Sequence, residues 1–395
     1  MPQPSSQPSS QPSEIERTLR RIRLMTEEGQ EENVLEQLDA LLIENPQMQQ
    51  EIIFTRAWYH TQKRQWDEAF LHLASLYNPQ SIQNDWEDAT HTERERRAFY
   101  LVWLGTIAVN LSRYDDASRL FTKCLEILEM RRVHLPKVRI KALCGQAMTC
   151  IISGLNAVAI QHYQEALKVC AKEKLQQELK RDFADIHYGL ADAYRQTGDF
   201  GRARTYGRQA LQMYEDLPDR YFVCRIYNLL GRIAFQLGEY QVAAEHIMES
   251  LSLAVLEDKV GMKLINFVAM ADVRLAENRP DEAQRYCDHA LETAEHIQDD
   301  HHLCGMMYLV CGKVAFARAK ETQGEEARYL LLEAQAIFEK AEKQLAQTQA
   351  AAHLSELYGR RAEVYEAMNQ PQKALAYWKS ALEVSTAPRG AGWYE

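Results

Sequence analysis

Cysteine and histidine are the side chains in this 395-residue sequence most able to hold a metal or act as a nucleophile, and their spacing is uneven. Cys287, His289, His296, His301, His302, Cys304 and Cys311 place seven of the chain's twenty such residues within 25 positions, where an even spread would put one or two. Zinc takes ligands of these types. Cys287, His289, His301, His302 and Cys304 are therefore the candidate metal ligands. A second reading competes with this one. Cys287 falls at an apolar helical position, Cys304 and Cys311 lie two turns apart on one helix face, and His301 and His302 are expected in a loop behind Asp299 and Asp300. Reduced core cysteines and surface histidines then account for the cluster, with no cofactor. No P-loop, GxGxxG, HExxH or GxSxG pattern is present. The carboxylates recur on polar helix faces, where solvation and i,i+4 pairing explain them. The chain is expected not to be an enzyme.

Composition narrows the remaining classes. Hydrophobic residues make up 46% of the sequence, enough to drive folding, which excludes a wholly disordered chain. The longest nearly apolar stretch, Leu101 to Val109, is far short of the roughly 20 residues a bilayer span needs, so no membrane association is expected. A net charge of −10 argues against direct binding to nucleic acid phosphates. The eight cysteines include no CxxC pair, and the start of the sequence lacks the charged and apolar regions of a secretory signal. A reducing, cytoplasmic location is expected.

Long helices must position whatever chemistry there is. Residues 1–13 hold only Pro, Ser and Gln after Met1 and read as a disordered tail, and residues 386–395 read as a second frayed end. Outside the first tail, Pro46, Pro79, Pro136, Pro218, Pro280, Pro371 and Pro388 all sit where an apolar period of 3.6 ends or begins. A proline inside a helix costs about 3 kcal/mol, so this placement reads as uninterrupted helices between breaks. Runs alternating at period two are lacking, and the fold class is all-α.

Self-similarity gives those helices an order. Segment 187–211, HYGLADAYRQTGDFGRARTYGRQAL, aligns with 227–251, YNLLGRIAFQLGEYQVAAEHIMESL. The alignment pairs Leu190 with Leu230, Ala191 with Gly231, Gly198 with Gly238, Phe200 with Tyr240 and Ala203 with Ala243. The same frame recovers segments 102–125, 146–167, 269–291 and 357–382. Its physical content is a hairpin of helices A and B. A small residue on A lets B cross closely, a Gly or Asn makes the turn, and a second small residue on B faces the first. The B-helix anchors are Ala69, Ala117, Ala159, Ala203, Ala243, Ala283, Ala334 and Ala374, spaced 48, 42, 44, 40, 40, 51 and 40. The step of 48 is assigned to a polar connection over 77–95. The step of 51 is assigned to an insertion around Lys320 to Arg328, either lengthening both helices or looping out. Residues 14–76 carry further amphipathic stretches and read as N-terminal helical hairpins, either a cap or a small effector bundle.

These are the consensus positions of the tetratricopeptide repeat, and the chain resembles that family over most of residues 50–385. The usual repeat is about 34 residues. The longer period resembles the repeat domains of bacterial peptide-sensing regulators and of kinesin light chains. The resemblance implies a right-handed α-solenoid of helix-turn-helix hairpins over 96–385, with the A helices lining its concave side. In the bacterial regulators a peptide in that groove changes superhelical pitch and controls an N-terminal effector. A helix-turn-helix DNA-binding domain is common there, whereas the first 50 residues here are too few for one.

Counting along the A helices puts Asp185, Tyr188, Asp192, Arg195, Arg225, Asn228, Arg232, Asn266, Asp272 and Lys313 on the concave side. Asparagine amides suit an extended peptide backbone, and arginine can clamp a carboxylate with two hydrogen bonds. Salt bridges between neighbouring A helices are the alternative role for the same residues. Trp58, Trp66, Phe99 and Trp103 read as core, and Trp86 as the best exposed aromatic contact. The expected partner is another protein or a short peptide, with a homodimer left open.

Overall fold

Prolines and tight polar turns cut the chain into helices of similar length. The computed structural model describes residues 14–27, 33–76, 91–111, 113–130, 133–215, 217, 220–297, 300–348 and 351–386. The expected tails at 1–13 and from 387 onward, and Trp86, lie outside the described residues. Eighteen α-helices and one short 3-10 turn make up the ordered elements, with no strand among the described residues. Nor is any helix among them long and apolar enough to cross a membrane.

Contacts divide the chain between Glu178 and Leu179. In the N-terminal unit, α1 (Glu14–Glu27), α2 (Val34–Glu44) and α3 (Gln49–Gln62) meet around Leu19, Ile22, Leu38 and Ile52. Helix α3 pairs with α4 (Trp66–Leu76), α5 (His91–Asn110) with α6 (Tyr114–Met130), and α7 (Pro136–Ile152) with α8 (Asn156–Lys172). Residues 91–95, assigned from sequence to the polar connection, are thus the first turn and a half of α5. In the C-terminal unit the pairs are α9 (Lys180–Gln196) with α10 (Phe200–Glu215), α11 (Arg220–Gln236) with α12 (Tyr240–Leu256), and α13 (Val260–Ala276) with α14 (Pro280–Ala294). Two more follow, α15 (His301–Glu321) with α16 (Gly324–Leu345) and α17 (Ala351–Ala367) with α18 (Pro371–Thr386).

Six of the A–B turns close the same way, whereas the α15–α16 turn runs through extended Thr322 and Gln323. Gly198 takes the left-handed conformation at φ 84°, and the Asp199 N–H reaches back to the Tyr194 carbonyl at 2.9 Å. This is the Schellman closure, which satisfies carbonyls that a helix end leaves without partners. Gly154, Gly238, Arg64, Asn278 and Asn369 hold the same left-handed position in their own hairpins. Inside the hairpins all eight anchor alanines are buried. The facing positions are as tight as the frame requires: a Cβ on Gly105 would lie 2.7 Å from the Phe121 ring, and one on Gly312 2.3 Å from the Phe338 ring.

The 51-residue step is resolved by helix length. Helices α15 and α16 run to 21 and 22 residues, against 17 and 15 for α13 and α14. The residues around Lys320 to Arg328 continue these helices except for a short break at Thr322 and Gln323.

Candidate binding face of the C-terminal unit

The frame that packs one side of each A helix leaves the next residue pointing past the crossing. Ala191, Gly231, Ala271 and Gly312 are the small crossing residues of α9, α11, α13 and α15, and each is buried. Directly after them come Asp192, Arg232, Asp272 and Lys313, at spacings of 40, 40 and 41. Consecutive A helices of this unit pack on one another, as the inner layer of a curved stack must. One residue per helix therefore forms a ladder of alternating charge along that layer.

Three of the four rungs have partners. Asp192 Oδ1 accepts from Arg195 Nε at 2.9 Å and Nη2 at 2.8 Å, and Gln196 Nε2 donates to its Oδ2 at 3.1 Å. Lys313 Nζ lies 2.6 Å from Asp272 and 3.4 Å from Glu356 of α17. Burial works against the Lys313 charge, but the two carboxylates outweigh it and raise its pKa. Arg232 has no hydrogen bond and no ion pair among the described residues. Its side chain is exposed. Desolvation by the neighbouring helices, with the like charge of Arg195 second, pulls its pKa below the usual arginine value, while Asp192, Tyr188 and Asp272 pull the other way.

A turn and more toward the N-terminal ends of α9 and α11 the face becomes aromatic. The Arg225 guanidinium lies 4.9 Å from the Tyr188 ring centre and 5.2 Å from that of Phe222, and its Nη2 donates to the Tyr188 hydroxyl at 3.4 Å. Tyr188 is the main influence raising the Arg225 pKa, against burial. Asp185 accepts a hydrogen bond from the Tyr214 hydroxyl of α10. Burial raises the Asp185 pKa, and the Tyr214 bond partly offsets this.

Two expected members of the face are not on it. Asn228 and Asn266 are buried, and Asn228 Nδ2 donates to Asn266 Oδ1 at 2.8 Å. Asn266 Nδ2 in turn donates to Ser250 Oγ at 2.9 Å, and Ser250 Oγ to the Cys224 carbonyl at 2.8 Å. This chain of amides and hydroxyl bridges α11, α12 and α13 from within. Counting placed these residues on the inner layer. Their neighbours Ile226, Leu229 and Leu264, all buried, turn that side of each helix toward the packing. Glu356 is the residue that counting missed, since it lies one position before the recovered segment 357–382.

The cysteine and histidine cluster disperses. Cys287 and Cys311 are buried side by side between α14 and α15, where their mutual hydrogen bond and burial push the Cys287 thiol far up. Cys304 Sγ donates to the Ile297 carbonyl at 3.3 Å. His289 is exposed beside Glu292, and His301 Nδ1 faces Gln344 Oε1 at 2.7 Å. His301 and His302 are not in a loop. They open α15, whose cap is Asp300, with its side chain accepting the Leu303 N–H at 2.9 Å. The His302 ring instead meets that of His353, centres 5.2 Å apart. Among the described residues no three His, Cys, Asp or Glu side chains converge as metal ligands would.

Comparison with known proteins agrees with this architecture. Residues 182–254 match the tetratricopeptide repeat model. No curated protein matches the chain. Among solved structures it is similar to the apo form of the quorum sensor NprR from B. thuringiensis, at 15% identity, 94% of this chain, 98% of that one and a TM-score of 0.68. It is similar to a Rap protein complexed with Competence and Sporulation Factor, at 14% identity, 93% and 96% coverage and a TM-score of 0.63. It is also similar to NprR in complex with its cognate peptide NprX, at 15% identity, 94% and 100% coverage and a TM-score of 0.56. At such identities the likeness is one of fold. Residues 182–254 thus carry tetratricopeptide repeats, within an all-α solenoid whose hairpins recur about every 40 residues and whose fold is like that of the NprR and Rap structures.

Proposed function

We propose that this chain is a non-enzymatic scaffold whose C-terminal unit binds an extended segment of another protein, or a short peptide, along its A-helix face. The observation that carries this reading is the charge ladder Asp192, Arg232, Asp272 and Lys313, one rung per repeat and one rung unpaired. Successive rungs on a groove match a ligand read residue by residue, as repeat proteins bind extended chains. Tyr188 and Arg225 extend the face with an aromatic platform already holding a cation. Eight free thiols suit a reducing cytoplasm.

The test is selection of short peptides from a random-sequence pool on the full chain, followed by titration against charge reversals. Arg232→Glu and Lys313→Glu should each weaken the selected peptides, and Met148→Glu in the N-terminal unit should not. Equal affinity in all three variants would place binding elsewhere.

A second reading makes the bound peptide a signal that acts on residues 14–76 as an effector region. The likeness to NprR in complex with its cognate peptide NprX, and to a Rap protein complexed with Competence and Sporulation Factor, favours it. Under this reading a selected peptide alters hydrogen exchange in α1 to α4. Unchanged exchange there at saturating peptide would leave only the scaffold.

A further inference from the structure

The last hairpin leaves open a surface that every earlier one closes. Four residues after the first seven anchor alanines come Leu73, Phe121, Tyr163, Gly207, Ile247, Cys287 and Phe338, and all seven are buried. The following hairpin helps to cover them. Phe121 of α6 packs on Gly145 of α7, Gly207 of α10 on Leu230 of α11, and Phe338 of α16 shares a core with Leu357 and Val364 of α17. The eighth such residue is Trp378 of α18, which is 41% exposed, and no helix follows α18 among the described residues. A solenoid needs terminal repeats that turn a polar side outward to stay soluble. Here Leu375 and Leu382 flank Trp378 at 57% and 63% exposure.

We propose that this face docks a second copy of the chain, α18 against α18, antiparallel across a two-fold axis. Leu375, Trp378, Leu382 and Ser385 recur at steps of three, four and three, so they form one stripe along the helix. That spacing is the one by which two helices interlock. Beside the stripe α17 contributes Ser355 and Gly359 to a cleft of about 580 Å³, wide enough to take an incoming side chain. The Trp378 indole N–H is already spent on Glu366 at 2.9 Å, so the ring offers its apolar surface.

Charge selects a second copy over an unrelated helix. On α17, Arg360 is paired with Glu363 at 3.1 Å, and Glu356 with Lys313 at 3.4 Å. The spare charges beside the stripe are Lys379 and Glu383 of α18, both exposed and without an ion pair or hydrogen bond among the described residues. They are opposite in sign and one turn apart. In an antiparallel pair centred beside Ser380 and Ala381, Lys379 faces Glu383 of the partner subunit, and Trp378 faces the partner's Leu382. The two-fold repeats both contacts in reverse, as a self-matching interface requires. Parallel helices would set like charge against like.

The experiment is sedimentation velocity on the full chain across a ~100-fold range of concentration, within which wild type should pass from monomer to dimer. Leu382→Glu should keep the helicity of wild type by circular dichroism and raise the dissociation constant ~100-fold, because each dimer contains the site twice. Lys379→Glu should weaken the dimer ~10-fold at low salt. Adding Glu383→Lys to it should restore wild-type association, since the swapped pair matches itself equally well. Leu291→Glu, exposed on α14, should leave association unchanged. A wild type that stays monomeric throughout would overturn the proposal, and a lower Tm for Leu382→Glu would then mean that residues beyond Thr386 cover the face. A dimer indifferent to Leu382→Glu, or one that the double charge swap weakens further, would also overturn it, since the copies would then meet elsewhere.

Discussion

The two units put different chemistry on one position of the same frame. The residue after the small crossing residue is Trp58, Thr106 and Met148 in the N-terminal unit, and Asp192, Arg232, Asp272 and Lys313 in the C-terminal unit. Trp58 is buried, Thr106 bonds back to the Val102 carbonyl, and Met148 is exposed. Around them the N-terminal A helices are aromatic. Phe54 meets Phe99, Tyr100 and Trp103, each at a ring separation of 5.6 Å, and Arg23 lies 5.2 Å from the Phe54 ring centre. Packing specifies the crossing residue and its anchor but leaves the next position open, so its chemistry can follow the ligand without disturbing the hairpin.

The units also differ in what holds neighbouring hairpins, and the largest expected effect tests that. In the C-terminal unit, Asn266→Ala removes two hydrogen bonds and leaves the Asn228 amide buried without its partner, while Ser250 Oγ keeps its bond to the Cys224 carbonyl. A loss of about 2–4 kcal/mol is expected from such a pair, read by urea unfolding. Peptide affinity of the folded fraction should survive, since Asn266 is not on the face. A variant as stable as wild type would show that the buried amides contribute little.

In the N-terminal unit the corresponding lock is steric. Phe121 is almost fully buried and wedged between Gly105 and Gly145, so a new methyl at Gly145 has nowhere to push it. Gly145→Ala should cost about 1–3 kcal/mol. Gly207→Ala in the other unit meets the end of the more adaptable Leu230 side chain and should cost less. The reverse order of the two midpoints would contradict the wedge.

Acid should separate the units further. Burial first holds the pKa of His187, His246, His302 and His353 below 6.5 in the C-terminal unit, and His302 adds to the effect on His353. In the N-terminal unit His72 and His162 are shifted the same way. Because the unfolded chain takes these protons first, stability is whole above about pH 6.5 and falls as the pH drops below it. The loss levels off once the lower folded-state values are passed. Hydrogen exchange between about pH 7 and 5 should therefore show the C-terminal unit weakening more, and His353→Gln should reduce the difference. An equal loss in both units would show that these imidazoles are not what separates them.

The smallest expected effect concerns a turn. Arg64 holds the left-handed position at φ 57° that Gly198 holds in the other unit. Arg64→Gly should stabilise by about 0.5–1 kcal/mol and Gly198→Ala should cost a similar amount, both read as shifts in Tm. Opposite signs would mean that the turns are not equivalent.

Much of this architecture is legible in the residues. Anchor alanines, crossing glycines and turn residues recur because close helix packing admits few side chains at those positions, and the structure buries all eight anchors. Asp192, Arg232, Asp272 and Lys313 emerge from the same count. Asn228 and Asn266 defeat it because a helix has more than one inward direction, and an amide satisfied by another amide looks in sequence like one awaiting a ligand. His301 and His302 read as a loop because Asp299 and Asp300 look like a break, when Asp300 is the cap that starts α15.

The residues alone determined the all-α hairpin frame, its long period and the charge alternation on successive A helices, since these follow from local periodicity and small-residue spacing. Only the tertiary structure decided which charges spend themselves on each other. Lys313 is shared between Asp272 and Glu356, Arg195 folds onto Asp192, and Arg232 makes no hydrogen bond among the described residues. Pairing depends on distances of a few ångströms between helices about 40 residues apart, and that no spacing in the sequence specifies.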